Sequence, residues 1–181
     1  QSKWMAFIDL DEFLFAPKGD LKERLKGFEE FPGVAVNEVF FGSNGHETRP
    51  PNGVLRNYTQ RREAPDKHIK SICQPEHTLC PAGNPHSFFY MRGQSVNEKK
   101  EPCLSPFNNP GSTDLFRINH YWVKSKEEYE VKLTRGRADV PSRDPKFRYT
   151  TGLGRKLDEV FMQDNEVHDT DIWEFLEREH G

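Results

Sequence analysis

The chain has 181 residues, a span that fits one domain with at most a small appendage. Its 26 basic and 29 acidic side chains leave a net charge of −3, without the basic excess of a nucleic-acid binder, so no nucleic-acid partner is expected. Hydrophobic residues at 34% are few for a compact core, yet aromatics at 12% are too many for a disordered segment. A folded, loop-rich domain follows.

No apolar run approaches the ~20 residues that cross a bilayer, and no signal peptide is visible. The sequence starts at Gln1 without an initiating methionine. A membrane anchor in a missing N-terminal part therefore stays open, as does the compartment: Golgi membrane for a secretory eukaryotic protein, cytoplasm for a bacterial one. Cys73, Cys80 and Cys103 are an odd set that excludes a dense disulfide framework and matches no zinc spacing, even with His77 and His86 nearby. Asn57-Tyr58-Thr59 is a glycosylation sequon, meaningful only in a secretory pathway.

In chain order, Trp4–Ile8 is a continuous apolar run that ends in acids. Such a run predicts a strand covered on both faces, near the centre of a sheet. Its flanking neighbour is expected from an N-terminal portion that this chain lacks. Asp20 with Glu23, followed by Leu21, Leu25 and Phe28 on one face, predicts a short capped helix. Residues 34–41, 68–73 and 87–91 read as strands, and Gly42–His46 as a turn between them. The Pro- and Gly-rich stretch 93–114 reads as a long irregular loop. Residues 116–123, carrying His120, form a further strand. Ser125 and Glu128 predict a capping box for a helix through Leu133, ended by Gly136. Leu157, Val160 and Phe161 suggest another helical turn, and Thr170 caps a last helix bearing Ile172, Phe175 and Leu176. The fold class is α/β or α+β.

The chemistry centres on Asp9 and Asp11. In extended chain, residues i and i+2 project to one side, so the two carboxylates point together while Leu10 points away. Paired acids at the carboxyl end of a strand make an oxygen-rich cation site, where ligands of open α/β sheets gather. A divalent ion there would bridge to a diphosphate and offset the charge of a departing group. Mn²⁺ or Mg²⁺ suits such donors, and a histidine ligand favours Mn²⁺. The alternative is that these acids only cap the following turn.

The segments WMAFIDLDEFLF, FGSNGH, HIKSICQP, GNPHSFFY and INHYWVKSKEEYEVKLTRGRAD occur in this order and together resemble glycosyltransferase family 92. The resemblance implies a GT-A-like mixed twisted sheet with flanking helices, N-terminally truncated. Residues 1–181 would be the C-terminal portion of a catalytic domain, with a core over 1–139 and a helical tail over 140–181. It also implies a metal-dependent transfer of a sugar, galactose in the best-known case, from a nucleotide-sugar donor such as a UDP-sugar to a glycan acceptor, with inversion. Asp9 and Asp11 match the family's D-x-D. His120 is the expected third metal ligand, with His86 as competitor, and Lys70 the expected phosphate contact; Lys124, Arg135 and Arg137 could serve similarly.

The base that deprotonates the acceptor is not singled out: Glu47, Glu98 and Asp114 are candidates. Gly42 and Gly45 would let a sugar-binding loop approach closely, and Tyr121, Trp122 and Phe89 could stack on an acceptor sugar. Glu38 stands where the family's strand often carries an aromatic. The rival reading is a non-catalytic carbohydrate-binding or interaction module on the same fold.

Overall fold

The computed structural model describes residues 2–135 and 157–180. The helix stop expected at Gly136, the basic candidate Arg137 and the first part of the expected tail, 140–156, lie outside the described residues. In chain order the elements are β1 (Met5–Ala6), β2 (Glu12–Phe15), α1 (Leu21–Lys26), β3 (Gly33–Phe40), α2 (Val54–Asn57), β4 (Gln60–Arg61), β5 (Ile69–Cys73), a 3₁₀ turn at Pro75–His77, β6 (Thr78–Pro81), β7 (Phe88–Tyr90), β8 (Arg117–His120), α3 (Lys126–Arg135), α4 (Leu157–Phe161), β9 (Val167–His168) and α5 (Asp171–His180). The class is mixed α/β. No described helix is long and apolar enough to cross a membrane.

These elements form two compact units. The first takes the residues up to 39, then 64–120 and those from 174 onward. Its five-stranded sheet has the order β1-β5-β3-β8-β2. The ladders β1–β5, β3–β5 and β2–β8 are antiparallel, while an isolated parallel bridge joins Val34 to Val96. β1 is therefore an edge strand, which corrects the expectation of a central one. It is two residues long, and Met5, Phe7 and Ile8 stay 42%, 47% and 41% exposed. The apolar run covers no second sheet face; Phe7 instead meets Phe88 with ring centroids 5.2 Å apart.

β1 and β2 are opposite edges of one sheet, yet only residues 7–11 connect them. Four strand spacings of ~4.8 Å separate the edges of a flat sheet by about 19 Å. A linker containing a hydrogen-bonded turn (Glu12 N–H to Asp9 O, 3.0 Å) cannot span that, because fully extended chain covers only ~3.5 Å per residue. The sheet must curl until its two edges approach. Inside the curl lies the core: Val34 and Val36 of β3, Ile72 of β5 and Ile118 of β8, with Val96, Phe116 and, from the helical segment, Leu25 and Phe28. Asp20 caps α1 as expected, accepting from the Glu23 amide at 2.9 Å.

Besides the short α2, β4 and β9 and the 3₁₀ turn, two strands of the first unit were not foreseen. β2 continues straight out of the acidic turn, and the Pro-containing segment after the 3₁₀ turn pairs as β6 with β7, through an irregularity between Thr78 and Cys80. The 93–114 stretch has no regular strand or helix but is pinned: Val96 N–H bonds Gly33 O at 3.0 Å and Cys103 N–H bonds Ser95 O at 2.9 Å.

The second unit comprises 40–63, 121–135 and 157–173 among the described residues. β4 and β9 form its small ladder. The capping box at α3 is present: Ser125 Oγ accepts from the Glu128 amide at 3.2 Å and donates to Glu128 Oε2 at 2.9 Å. Val123, Tyr129 and Val160 form its core. The strand expected over 116–123 stops at His120, because Tyr121 turns to stack on Phe41 (4.6 Å) and Trp122 packs edge-on against Tyr129 (5.5 Å).

Candidate metal and diphosphate site

Residues i and i+2 of a strand share a face, and four strands of the first unit obey one pattern on the face that lines the curl. On β3 the row Val34, Val36 ends in Glu38; on β5 Ile72 is followed by Lys70; on β8 Ile118 gives way to His120; on β2 Leu14 gives way to Glu12. The registers bring these rows together, with Glu12 opposite His120 and Lys70 opposite Val36. The interior thus turns from apolar to charged at one end, beside the acidic turn.

Lys70 is buried and donates to Asp9 Oδ2 at 2.9 Å, with Glu12 Oε1 3.3 Å away. Glu12 Oε2 accepts the Asp9 amide at 2.9 Å, which fixes the turn. His120 has a partner on each ring nitrogen: Nδ1 lies 2.9 Å from Glu38 Oε2, and Nε2 faces Asp11 Oδ1 at 3.7 Å. A carboxylate only accepts, so Nδ1 carries a proton toward Glu38, and Nε2 is the ring nitrogen turned to Asp11. Leu10, fully exposed, marks the tip of the turn. His86 sits behind this group, its Nδ1 2.9 Å from Ile69 O and 3.9 Å from Glu38 Oε1.

Asp9 and Glu12 flank the Lys70 ammonium at 2.9 and 3.3 Å, while Asp11 and Glu38 flank the His120 ring at 3.7 and 2.9 Å, so four carboxylates surround one ammonium and one imidazole. The imbalance shows in the protonation behaviour. Burial pushes the Glu12 carboxyl up, and the Glu38 charge adds to this against the Asp9 amide, His120 and Lys70. Burial would raise Asp9 also, but the Lys70 hydrogen bond and charge outweigh it and hold Asp9 low. For Lys70, burial is outweighed by the Asp9 hydrogen bond and the Glu12 and Asp9 charges, which keep it firmly protonated. Burial pushes His86 down.

The residues fit a divalent cation. Glu12 Oε1 and Glu38 Oε1 are buried oxygens without a hydrogen-bond partner. Glu12, Glu38 and His120 offer ligand atoms within 4.8 Å of one another, the one such group of three among the described residues. The 3.7 Å gap between His120 Nε2 and Asp11 Oδ1 is too long for a hydrogen bond, yet it suits two ligands each ~2.1 Å from a shared ion. Oxygen donors with one imidazole match Mn²⁺, and Mg²⁺ less closely.

The structure thus gathers Asp9, Asp11, Lys70, His120 and His86 from distant parts of the chain. It adds Glu12 and Glu38, which sequence reasoning did not select as site residues. An apolar strand row ending in a carboxylate was the signal that could have found them. The other candidates lie elsewhere. Glu98 is buried and accepts from Ser112 Oγ and from the amides of Asp114, Leu115 and Phe116, so it ties down a loop and offers no free oxygen as a base. Asp114 is exposed beside it. Glu47 belongs to the second unit, exposed, 3.8 Å from Lys126. Lys124, at φ 60°, and the exposed Arg135 are in that unit too. Tyr121 and Trp122 are core aromatics there, whereas Phe89 on β7 is 58% exposed. The backbone at Gly42 does approach closely, but to Asn165 and Asp164 of its own unit. All three cysteines are free, and only Cys80 is exposed.

The sequence model of glycosyltransferase family 92 matches residues 1–141. A glycosyltransferase family 92 protein of Oryza sativa subsp. japonica is 30% identical over 168 residues, 85% of this chain and 26% of the relative. One of Ricinus communis is 30% identical over 141 residues, 74% of this chain and 23% of the relative. A galactan beta-1,4-galactosyltransferase of Arabidopsis thaliana is 24% identical over 132 residues, 60% of this chain and 26% of the relative. The chain spans about a quarter of the length of the curated relatives it matches. With the match extending over 141 of its 181 residues, the chain belongs to glycosyltransferase family 92.

Proposed function

We propose that this chain supplies the diphosphate-gripping part of a GT-A-type catalytic domain that moves a galactosyl group from UDP-galactose to a glycan hydroxyl with inversion. The observation that carries this reading is the gathering of Asp9 and Glu12 at Lys70 beside Glu38 and Asp11 at His120, with His120 Nε2 and Asp11 Oδ1 spaced 3.7 Å apart. Family membership and the named activity of the Arabidopsis relative support the transfer of a galactosyl unit.

Asp11 and His120 would hold Mn²⁺, or Mg²⁺, with Asp9 completing the acidic side. When bound, the ion supplies positive charge against the diphosphate oxygens. Glu38 holds the His120 ring through Nδ1 so that Nε2 is turned toward Asp11, a supporting role that metal-ligating histidines commonly require. Lys70 presents a fixed point charge whose partner Asp9 is largely exposed, so the ammonium can exchange that carboxylate for a phosphate oxygen. Buried Glu12 pins, through the Asp9 amide, the turn that carries both aspartates.

The test uses the full-length protein with UDP-galactose and a galacto-oligosaccharide, scored by product NMR for the anomeric configuration. The reading requires transfer that is lost in EDTA and restored by Mn²⁺. Undiminished transfer in chelator, or a product of retained configuration, would sink it.

A further inference from the structure

We infer that His68, oriented by Asp66, is the base that deprotonates the acceptor hydroxyl; this rests on the transferase reading above. His68 Nδ1 lies 2.6 Å from Asp66 Oδ1, and that same oxygen accepts the His68 backbone amide at 2.9 Å. The carboxylate cannot donate, so Nδ1 carries the proton. Nε2 then bears the lone pair, and among the described residues it has no hydrogen-bond partner. This is the arrangement in which a carboxylate holds an imidazole in its basic tautomer and steadies the imidazolium that forms.

Position supports the role. His68 precedes Lys70 by two residues in extended chain and so shares its row on the face that lines the curl. The backbone of Glu38 clasps the dyad on both sides: its amide donates to His68 O at 3.2 Å, and its carbonyl accepts from the Asp66 amide at 2.8 Å. One buried residue thereby sets the dyad through its main chain and His120 through its side chain. The His68 ring is 6.0 Å from the ring of His86, which in turn lies 3.9 Å from Glu38. Phe107 braces the imidazole edge-on at 4.9 Å. The His68 side chain is 40% exposed and that of Asp66 16%, so the ring is open to a substrate while its orienting acid is sheltered. Glu98, its oxygens all engaged, and the exposed Asp114 lack such an arrangement.

In the step, the acceptor hydroxyl gives its proton to His68 Nε2 while its oxygen bonds the anomeric carbon. The bond from that carbon to the diphosphate oxygen breaks, and its electron pair leaves with the nucleoside diphosphate. The imidazolium, held by Asp66, later returns the proton to solvent.

The experiment compares full-length wild type, His68→Ala, Asp66→Asn and Asp66→Glu for transfer and for Mn²⁺-dependent UDP affinity by calorimetry. His68→Ala should keep UDP affinity within about twofold and lose ~10²–10⁴-fold in kcat, the usual contribution of a positioned base. Added imidazole should restore part of that loss. Asp66→Asn should lower kcat at unchanged donor KM, with partial recovery in Asp66→Glu. Wild-type turnover by His68→Ala, or loss of turnover together with loss of UDP affinity, overturns the assignment. A wild-type enzyme that transfers while His68→Ala is unimpaired sinks the base alone, whereas a wild type that neither binds UDP with metal nor transfers sinks the transferase reading and the base with it.

Discussion

The ring of His120 is held 2.9 Å from the buried carboxylate of Glu38, a residue 82 positions earlier in the chain. Glu38 offers no useful hydrogen bond to solvent from its place in β3, and its second oxygen has no hydrogen-bond partner. Its charge is therefore spent on the histidine, raising the electron density at Nε2. Glu38→Gln preserves the shape but removes the charge. It is expected to weaken Mn²⁺ binding by ~10–100-fold without unfolding the protein, as loss of a ligand's orienting partner generally does. Calorimetric titration of Mn²⁺, with a circular dichroism check of the fold, decides it; unchanged affinity would remove Glu38 from the site.

Asp11 and Asp9 are expected to separate in effect. Asp11 faces His120 Nε2, whereas Asp9 is already engaged with Lys70. Asp11→Ala should abolish the gain in UDP affinity that Mn²⁺ confers. Asp9→Ala should reduce that gain and also free Lys70, leaving measurable metal-independent UDP binding. UDP titrations with Mn²⁺ and with EDTA distinguish the two; identical behaviour would contradict the division of labour.

Away from the site, Tyr58 Oη donates to Glu128 Oε2 at 2.7 Å inside the second unit. Burial would raise Glu128, but bonds from Tyr58 and Ser125 outweigh it and hold its carboxyl below the ordinary value of 4.5; burial first, and then Glu128, push Tyr58 up. A depressed folded-state carboxylate stabilises above its unfolded value and loses that contribution as pH falls through the folded one. Tyr58→Phe should cost about 1.5–3 kcal/mol at neutral pH, the range for hydrogen bonds to charged groups. The gap from wild type should narrow on the acid side of 4.5. Denaturant unfolding at several pH values measures it, and a gap independent of pH would be the contrary result.

Gly42 provides a purely steric test. A Cβ there would stand 2.5 Å from Asn165 Oδ1 and 2.6 Å from the Asp164 carbonyl, and the backbone atom cannot swing aside. Gly42→Ala should destabilise the protein by about 1–3 kcal/mol, as overpacking does. Gly45, with open space around it, should be far less sensitive to crowding, although its φ of +74° still favours glycine. A thermal melt of Gly42→Ala matching wild type would show that the 164–165 segment yields easily.

Local signals were legible in the sequence. Asp20 with Glu23 and Ser125 with Glu128 act over three residues, and both caps formed. Asp9 and Asp11 lie in a hydrogen-bonded turn and not in the extended chain that the i, i+2 reading assumes, and they meet different partners, Lys70 and His120. Lys70 and His120 came by resemblance, and the structure brings them to that turn. What stayed hidden depends on long-range closure. β2 was obscured because Phe13–Phe15 continue directly from the turn, and only the ladder to β8 shows them as a strand. Glu38 sits in a strand buried along nearly its whole length, where alternation of apolar and polar residues gives no guide to the inward face. β1 read as central because an apolar run looks alike whether a second sheet face or a neighbouring ring such as Phe88 covers it.

The short linker between β1 and β2 has a mechanical consequence. The segment that closes the curled sheet, like the clasp of a bracelet, is also the one that bears Asp9 and Asp11. Fraying at either edge strand must drag the aspartates out of alignment, and whatever tethers the aspartates must in turn tighten both edges. Folding of this unit and the placement of Asp9 and Asp11 are one mechanical event.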